Sequence, residues 1–271
     1  MNGETNPQAL GAGGAHLPWR SPGHRWLEPI VDPSSRMLCW PFLKKGQGDL
    51  GSMIRALILD FDGLILDTET PMRASWMEIY EEAGLQVEEI EWASILGASA
   101  DPPEAYDLLD AHLERPVDRP ALHERRLRRE LELLASEDPM PGVRELIRDA
   151  KRAGLLLGIA SSSERAWVQG LLEQHGLSER FDAVVCAEDV EKTKPSPDLY
   201  RKALAALGVR PDEAIAFEDS EHGVTSAKAA GIFCVAVPND VTRCLGFAKA
   251  DLVISALSDQ TLQEYLAAAV G

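Results

Sequence analysis

From Met53 to residue 254 the chain repeats one pattern: a short apolar run, a polar turn, an amphipathic helical stretch, and another apolar run. This alternation constrains the fold more than any other feature, because strands joined by helices pair in parallel within one sheet. The predicted strands are IRALILD (54–60), LLLGIAS (155–161), AVVCA (183–187), AIAFED (214–219), FCVAVP (233–238) and a short DLVI (251–254). Their nearly continuous apolar character suits strands covered on both faces. Amphipathic helices are predicted over 143–153, 164–175, 197–207 and 222–230. Each is followed by glycine (Gly154, Gly176, Gly208, Gly231), where a left-handed C-cap is expected.

Two segments depart from this rhythm. Between residues 70 and 138 no strand is predicted, only helical stretches such as MRASWMEIYEEAG and ALHERRLRRELELLA, punctuated by Pro102-Pro103 and Arg115-Pro116. A helical block inserted after the first strand reads as a cap over a catalytic core, so the predicted domains are a core of 53–69 with 139–271 and a cap of 70–138. Residues 1–52 are rich in Gly and Pro, carry three of the six Trp and show neither helical nor strand periodicity. They read as a disordered extension. Met53 opens the first strand directly, so the expected alternative is that the natural protein starts there.

Charge and cysteine content narrow the functional classes. The net charge of −17 argues against nucleic acid and against an anionic membrane surface. No apolar stretch reaches the ~18 to 20 residues needed to span a bilayer, and the N-terminus has no apolar core of a secretory signal. Cys39, Cys186, Cys234 and Cys244 show no metal-like or paired spacing, and Cys186 and Cys234 lie in apolar strand-like runs as reduced core residues. The expectation is a cytoplasmic protein whose site, if its substrate is an anion, supplies its own local positive charge. Its oligomeric state is not readable.

Several predicted strand ends carry polar groups, and ligands of open α/β sheets bind beyond those ends. The first strand delivers Asp60 and Asp62, the second Ser161, and the fourth Glu218 and Asp219; Lys194 lies in the loop after the third. Asp60 and Asp62 are two apart in extended chain and face one way. Clustered carboxylates imply a cation or a shared proton. Asp219 and Glu218 would complete an oxygen-rich shell suited to Mg²⁺. Lys194 and the cation would then neutralise a phosphate, with the Ser161 hydroxyl as a hydrogen-bonding group. One carboxylate could attack phosphorus while its neighbour handles protons.

Taken singly, each feature has a plainer explanation. D-x-D-G is commonly an acidic turn, and Lys194-Pro195 a surface loop. One of Ser161, Ser162 and Ser163 is expected to cap the following helix. A calcium loop also begins D-x-D, but Leu64 stands where it needs an oxygen ligand. HERRLRRELE reads as a solvated helix face with mixed charge pairs, Trp76 and Trp92 as packing residues, and His222, His112 and His123 as structural. The joint order and strand-end placement of the polar groups are what these separate explanations leave unaccounted for.

DFDGLILDTE, IASSS, KTKPSPDLY and FEDSEHGVTSAKAAG, in this order, resemble the four motifs of the haloacid dehalogenase-like hydrolase superfamily over residues 53–255. The subgroup resembled is that of β-phosphoglucomutase and related sugar-phosphate and phosphoglycolate phosphatases. The resemblance implies a Rossmann-like three-layer parallel-sheet core with an inserted helical cap. It makes Asp60 the nucleophile and Asp62 the general acid/base, with the Asp62 carbonyl also on Mg²⁺. Ser161 and Lys194 would bind the phosphoryl group, Lys194 also orienting the nucleophile, with backbone N–H groups near Phe61, Asp62 and Ser162 completing the cradle. Glu218 and Asp219 fall on the acidic metal pair, with Asp219 the stronger candidate for a direct ligand.

Two departures bear on the reaction. Mutases of this subgroup carry a His after the DTE segment and a phosphate-binding Arg in the cap, where this chain has Met72 and Ala100. A mutase must hold a bisphosphate at both ends, whereas hydrolysis needs only water at the phosphoenzyme. The expectation is therefore a Mg²⁺-dependent phosphatase acting on a small phosphorylated metabolite. A phosphohexomutase is the runner-up, and a non-catalytic phosphometabolite-binding module the third reading.

Overall fold

The computed structural model describes residues 53–87, 103–243 and 246–270. The extension expected over 1–52, with Cys39, and the residues Trp92, Ala100 and Cys244 lie outside the described residues. Six strands form one parallel sheet in the order β3-β2-β1-β4-β5-β6. They are β1 (Ala56–Leu59), β2 (Leu156–Ala160), β3 (Ala183–Val185), β4 (Ala214–Glu218), β5 (Phe233–Ala236) and β6 (Leu252–Val253). Each lies inside the predicted apolar run and is shorter than it.

The strands alternate side-chain size between the two faces. Leu57, Leu59, Leu157, Ile159, Ile215, Phe217 and Val235 point into one buried cluster. Ala56, Ile58, Ala160, Ala214, Ala216, Cys234 and Ala236 point into the other. The bulky face packs on α4 (Val143–Arg152), α5 (Arg165–Gln174) and α8 (Leu262–Val270), through Val143, Leu146, Val168, Leu171, Leu172 and Tyr265. The alanine-rich face lets α6 (Asp198–Leu207) and α7 (Glu221–Ala229) sit close, through Leu199, Leu204, Leu207, Val224 and Ala227. Gly158 carries this to its limit: a Cβ there would stand 3.0 Å from Leu207 Cδ1. A helix–sheet–helix sandwich results, with helices packed on both faces of the sheet. Cys186 and Cys234 are free and buried, as expected.

The predicted core helices occur with no end shifted by more than one residue. Gly154, Gly176, Gly208 and Gly231 all have positive φ, as their C-cap positions require. Two readings need correction. None of the three serines caps α5; its N-cap is Glu164, and the Glu188 carboxylate reaches in to accept from Arg165 N at 3.0 Å. Ser161 and Ser163 are instead drawn to Asp62, as described below. Helix α8 was not predicted from the sequence, although Leu262, Tyr265, Leu266 and Ala269 hold helical spacing and join the bulky-face cluster.

Between β1 and α4 lie α1 (Glu69–Glu82), α2 (Pro103–Leu113) and α3 (Arg119–Leu134), with no strand among the described residues of this interval. They share a core of their own, formed by Met72, Trp76, Ile79, Tyr80, Tyr106 and Leu109. Trp76 is fully buried and meets Tyr106 edge-on at 4.9 Å between centroids, so it packs as expected. The face of α3 is solvated only in part. Arg125, Arg128 and Arg129 form exposed pairs, but Arg126 and Glu130 are buried, ion-paired at 2.6 Å, with the guanidinium 5.7 Å from the Trp76 ring centroid. An aromatic face beneath the helix offers the Arg stem and guanidinium a better surface than water. Asp67 Oδ1 accepts from Thr70 N at 3.0 Å and so caps the start of α1. No helix among the described residues is long and apolar enough to cross a membrane.

Candidate active site

The strand order reverses at β1, which has β2 on one side and β4 on the other. Chain connections leave in opposite directions there, opening a crevice at the carboxyl ends of β1 and β4. Asp60 follows β1 directly, Glu218 ends β4, Asp219 follows it, and Ser161 follows β2. The polar residues predicted from sequence are therefore gathered at one edge of the sheet by its topology.

Asp60, Glu218, Asp219 and Lys194 form the buried centre. Lys194 Nζ stands 2.6 Å from Asp60 Oδ1 and 2.7 Å from Glu218 Oε1. Phe61 N also donates to Asp60 Oδ1, at 2.7 Å, which fixes the carboxylate relative to its own backbone. Glu218 is fully enclosed: Tyr200 OH donates to its Oε1 at 2.5 Å, and Ser220 Oγ to its Oε2 at 3.4 Å. Gly223 at the head of α7 is required by this packing, since a Cβ there would fall 1.7 Å from Glu218 Oε2. Asp219 is held by Asn239 Nδ2 at 2.9 Å.

The electrostatics follow from burial. Asp60 is pushed up to about 7 by desolvation, aided by the Glu218 charge and opposed by Lys194. Asp219 is raised well above the usual carboxylate range by burial and by the Asp60 and Glu218 charges. Burial pulls Lys194 down, but its two carboxylate partners outweigh this and hold it raised and charged. Three carboxylates against one ammonium leave an enclosed site short of positive charge. Oxygens of Asp60, Glu218 and Asp219 lie within 4.8 Å of one another. That oxygen-only donor set fits a hard divalent cation better than a transition metal that prefers nitrogen or sulfur.

Asp62 sits beside this group but its side chain is turned away from it. Its Oδ2 accepts from Ser163 Oγ at 2.6 Å and Ser161 Oγ at 3.3 Å, and its Oδ1 from Trp167 Nε1 at 2.9 Å. Burial raises its proton affinity, with Ser163 and Trp167 opposing. Ser161 is fully buried, whereas Ser162 is exposed on the loop before α5. The turn at Gly63 brings the β1 loop against Asp219; Gly63 has φ +73°, and a Cβ would lie 2.3 Å from Asp219 Oδ2. Leu64–Leu66 are buried, which leaves no room for a calcium loop at this turn.

Four residues enter the site that sequence reasoning did not assign: Ser163, Trp167, Tyr200 and Asn239. Tyr200 lies within the KTKPSPDLY stretch and Ser163 within IASSS, so both stood in motifs already singled out. Trp167 and Asn239 lie in none, and only long-range folding brings them in. Glu69, at the start of α1, has a buried Oε2 without a partner, and burial pushes its carboxyl up to about 7 against a hydrogen bond from Asn239.

Residues 57–237 match the family model for haloacid dehalogenase-like hydrolases. "Putative phosphatase YhcW" of Bacillus subtilis (strain 168) is 41% identical over 210 residues, covering 78% of this chain and 95% of that protein. Hexitol phosphatase B of Escherichia coli (strain K12) is 32% identical, covering 79% and 97%. A solved structure from Thermotoga maritima, described as a "putative beta-phosphoglucomutase", superposes with a TM-score of 0.69 at 26% identity, covering 78% and 99%. With its parallel sheet, its strand-end carboxylates and a family match over most of its length, the chain belongs to the haloacid dehalogenase-like hydrolases.

Proposed function

We propose that the protein is a Mg²⁺-dependent phosphatase that hydrolyses a small phosphorylated metabolite, a sugar phosphate or similar organic monophosphate, through an aspartyl-phosphate at Asp60. One observation carries this reading: a buried carboxylate at the sheet's switch point, steadied by Lys194 and Phe61 N and grouped with two further carboxylates. Such a group can attack phosphorus only when the charge around it is compensated. Asp60, Glu218 and Asp219, with the Asp62 carbonyl, would hold Mg²⁺, which when bound offsets the negative charge of the carboxylates and of the phosphoryl oxygens.

In this scheme Lys194 and Ser161 bind the phosphoryl oxygens, with backbone N–H groups of Phe61, Asp62 and Ser162 completing the cradle. Asp60 forms a bond to phosphorus while the ester oxygen leaves and takes a proton from Asp62. Asp62 then accepts a proton from water as that water attacks phosphorus, releasing inorganic phosphate and freeing Asp60. The raised proton affinity of Asp62 suits a group that begins protonated. Its carboxyl leaves Ser163 and Trp167 to reach the leaving oxygen as substrate fills the crevice. Residues 70–138 act as the cap that closes the crevice, and 53–69 with 139–271 as the core. The acidic chain favours a cytoplasmic small-molecule enzyme over one that binds nucleic acid or membranes.

The mutase reading has less support, since Met72 is a buried member of the α1–α3 core rather than a polar group facing substrate. Phosphate release from a panel of monophosphates tests the proposal. Release lost in Asp60→Asn and in EDTA is expected; conversion of β-glucose 1-phosphate to glucose 6-phosphate without release would instead establish the mutase.

A further inference from the structure

Asn239 follows β5 by three residues, in VPND, outside every motif that resembles the family's. We propose that Asn239 is a positioning residue for the divalent-cation site, holding one oxygen of Asp219 so that the other stays turned toward Asp60 and Glu218. This rests on the metal reading given above. The orientation of the amide is fixed by its surroundings. Val241 N and Thr242 N each donate to Asn239 Oδ1 at 2.9 Å, and Thr242 Oγ1 adds a contact at 3.2 Å. Backbone N–H groups cannot accept, so the atom facing them is the oxygen and the NH₂ faces the carboxylate.

That NH₂ donates to Asp219 Oδ2 at 2.9 Å and lies 3.4 Å from the Gly63 carbonyl oxygen. Among the described residues no other side-chain hydrogen bond to Asp219 is found. The asparagine is itself held rigidly: its N–H donates to Thr242 Oγ1 at 3.1 Å and its carbonyl accepts from Arg243 N at 2.9 Å. Thr242 is buried beneath it. A stiff turn thus reaches across from β5 to a carboxylate on the loop after β4, and touches the β1 turn as it does so. Groups that orient a ligating carboxylate in this way are typically worth about 10- to 100-fold in metal affinity.

The test uses Mn²⁺ binding to the metal-free full chain, read by electron paramagnetic resonance, in wild type, Asn239→Ser and Thr242→Val. Serine retains an oxygen that can accept from the turn N–H groups but cannot reach Asp219. Asn239→Ser is expected to weaken Mn²⁺ binding by about tenfold or more. Thr242→Val, which loses two contacts to Asn239 but leaves its NH₂ able to reach Asp219, is expected to lower thermal stability and to weaken Mn²⁺ binding less than Asn239→Ser does. The chain contains only Asn2, Asn6 and Asn239, so asparagine-selective ¹⁵N labelling of wild type gives a readout independent of any variant's folding. One side-chain NH₂ pair should shift with Mg²⁺ along the binding curve while two stay fixed.

Unchanged affinity in Asn239→Ser, equal weakening in Thr242→Val, or three static NH₂ pairs at saturating Mg²⁺ would each overturn the proposal. Wild type that binds neither cation would overturn the metal reading as well, so the two failures are distinguishable.

Discussion

Replacing Lys194 by Met tests how the buried centre is balanced. The ammonium is almost fully enclosed and lies 2.6 Å and 2.7 Å from two carboxylates that are enclosed as well. Met keeps the stem and removes the charge. Breaking a buried ion pair from one side costs about 3–5 kcal/mol, because the remaining charge has neither water nor partner. A stranded carboxylate can escape by taking up a proton, at about 1.36 kcal/mol for each pH unit above its ordinary value. For Asp60, which wild type already holds near 7, that escape adds almost nothing at pH 5 and at most about 1.4 kcal/mol at pH 8, so most of the deficit at pH 8 falls on the stranded Glu218. The sign follows: the folded variant binds more protons than folded wild type, so its deficit shrinks as pH falls. Urea unfolding in EDTA should give Lys194→Met a deficit of about 3–5 kcal/mol at pH 8 and under about 2 kcal/mol at pH 5. A deficit below about 1 kcal/mol at pH 8, or one independent of pH, would refute the reasoning.

Three further outcomes are expected. Asp60 is raised to about 7, so it holds its proton in the folded state across a range where the unfolded chain has lost it; the metal-free protein loses this stability as pH rises from about 4 to 7. Asp60→Asn removes that cost and should be more stable than wild type in EDTA at pH 8, by up to about 4 kcal/mol, with the gap closing toward pH 5 in urea titrations. Gly63→Ala places a methyl 2.3 Å from Asp219 Oδ2 at φ +73°, and should cost at least about 1 kcal/mol in thermal unfolding while weakening Mg²⁺ binding measured calorimetrically. Trp76→Ala empties the centre of the α1–α3 core and should cost about 3–5 kcal/mol there, seen as faster tryptic cleavage within 103–134 while α4 to α8 stay protected.

The sheet was legible because strands covered on both faces must be apolar throughout, and all six apolar runs became strands. Its helices were legible from their periodicity and from the glycines that end them. Helix α8 was not assigned, although Leu262, Tyr265, Leu266 and Ala269 hold the spacing of one helical face. At the site, Asp60, Glu218, Asp219 and Ser161 could be placed together because each sits at or just beyond a strand end, with Lys194 in the loop after β3, and the sheet delivers strand ends to one edge. Trp167 and Asn239 could not, since their partners Asp62 and Asp219 lie 105 and 20 positions away and neither residue type announces an amide or indole donor to a carboxylate. The buried Arg126–Glu130 pair was misread for a related reason: a helix full of charge looks solvated until the aromatic ring beneath it is known.

The central claim is that Asp60 becomes phosphorylated during turnover. Acid quenching of wild type during steady hydrolysis, borohydride reduction and peptide mapping would convert an aspartyl-phosphate to homoserine at that position. Homoserine at residue 60 alone, absent without substrate and in Asp60→Asn together with loss of phosphate release, is the predicted result. Turnover with unmodified Asp60, or an Asp60→Asn variant that releases phosphate at the wild-type rate, would contradict it.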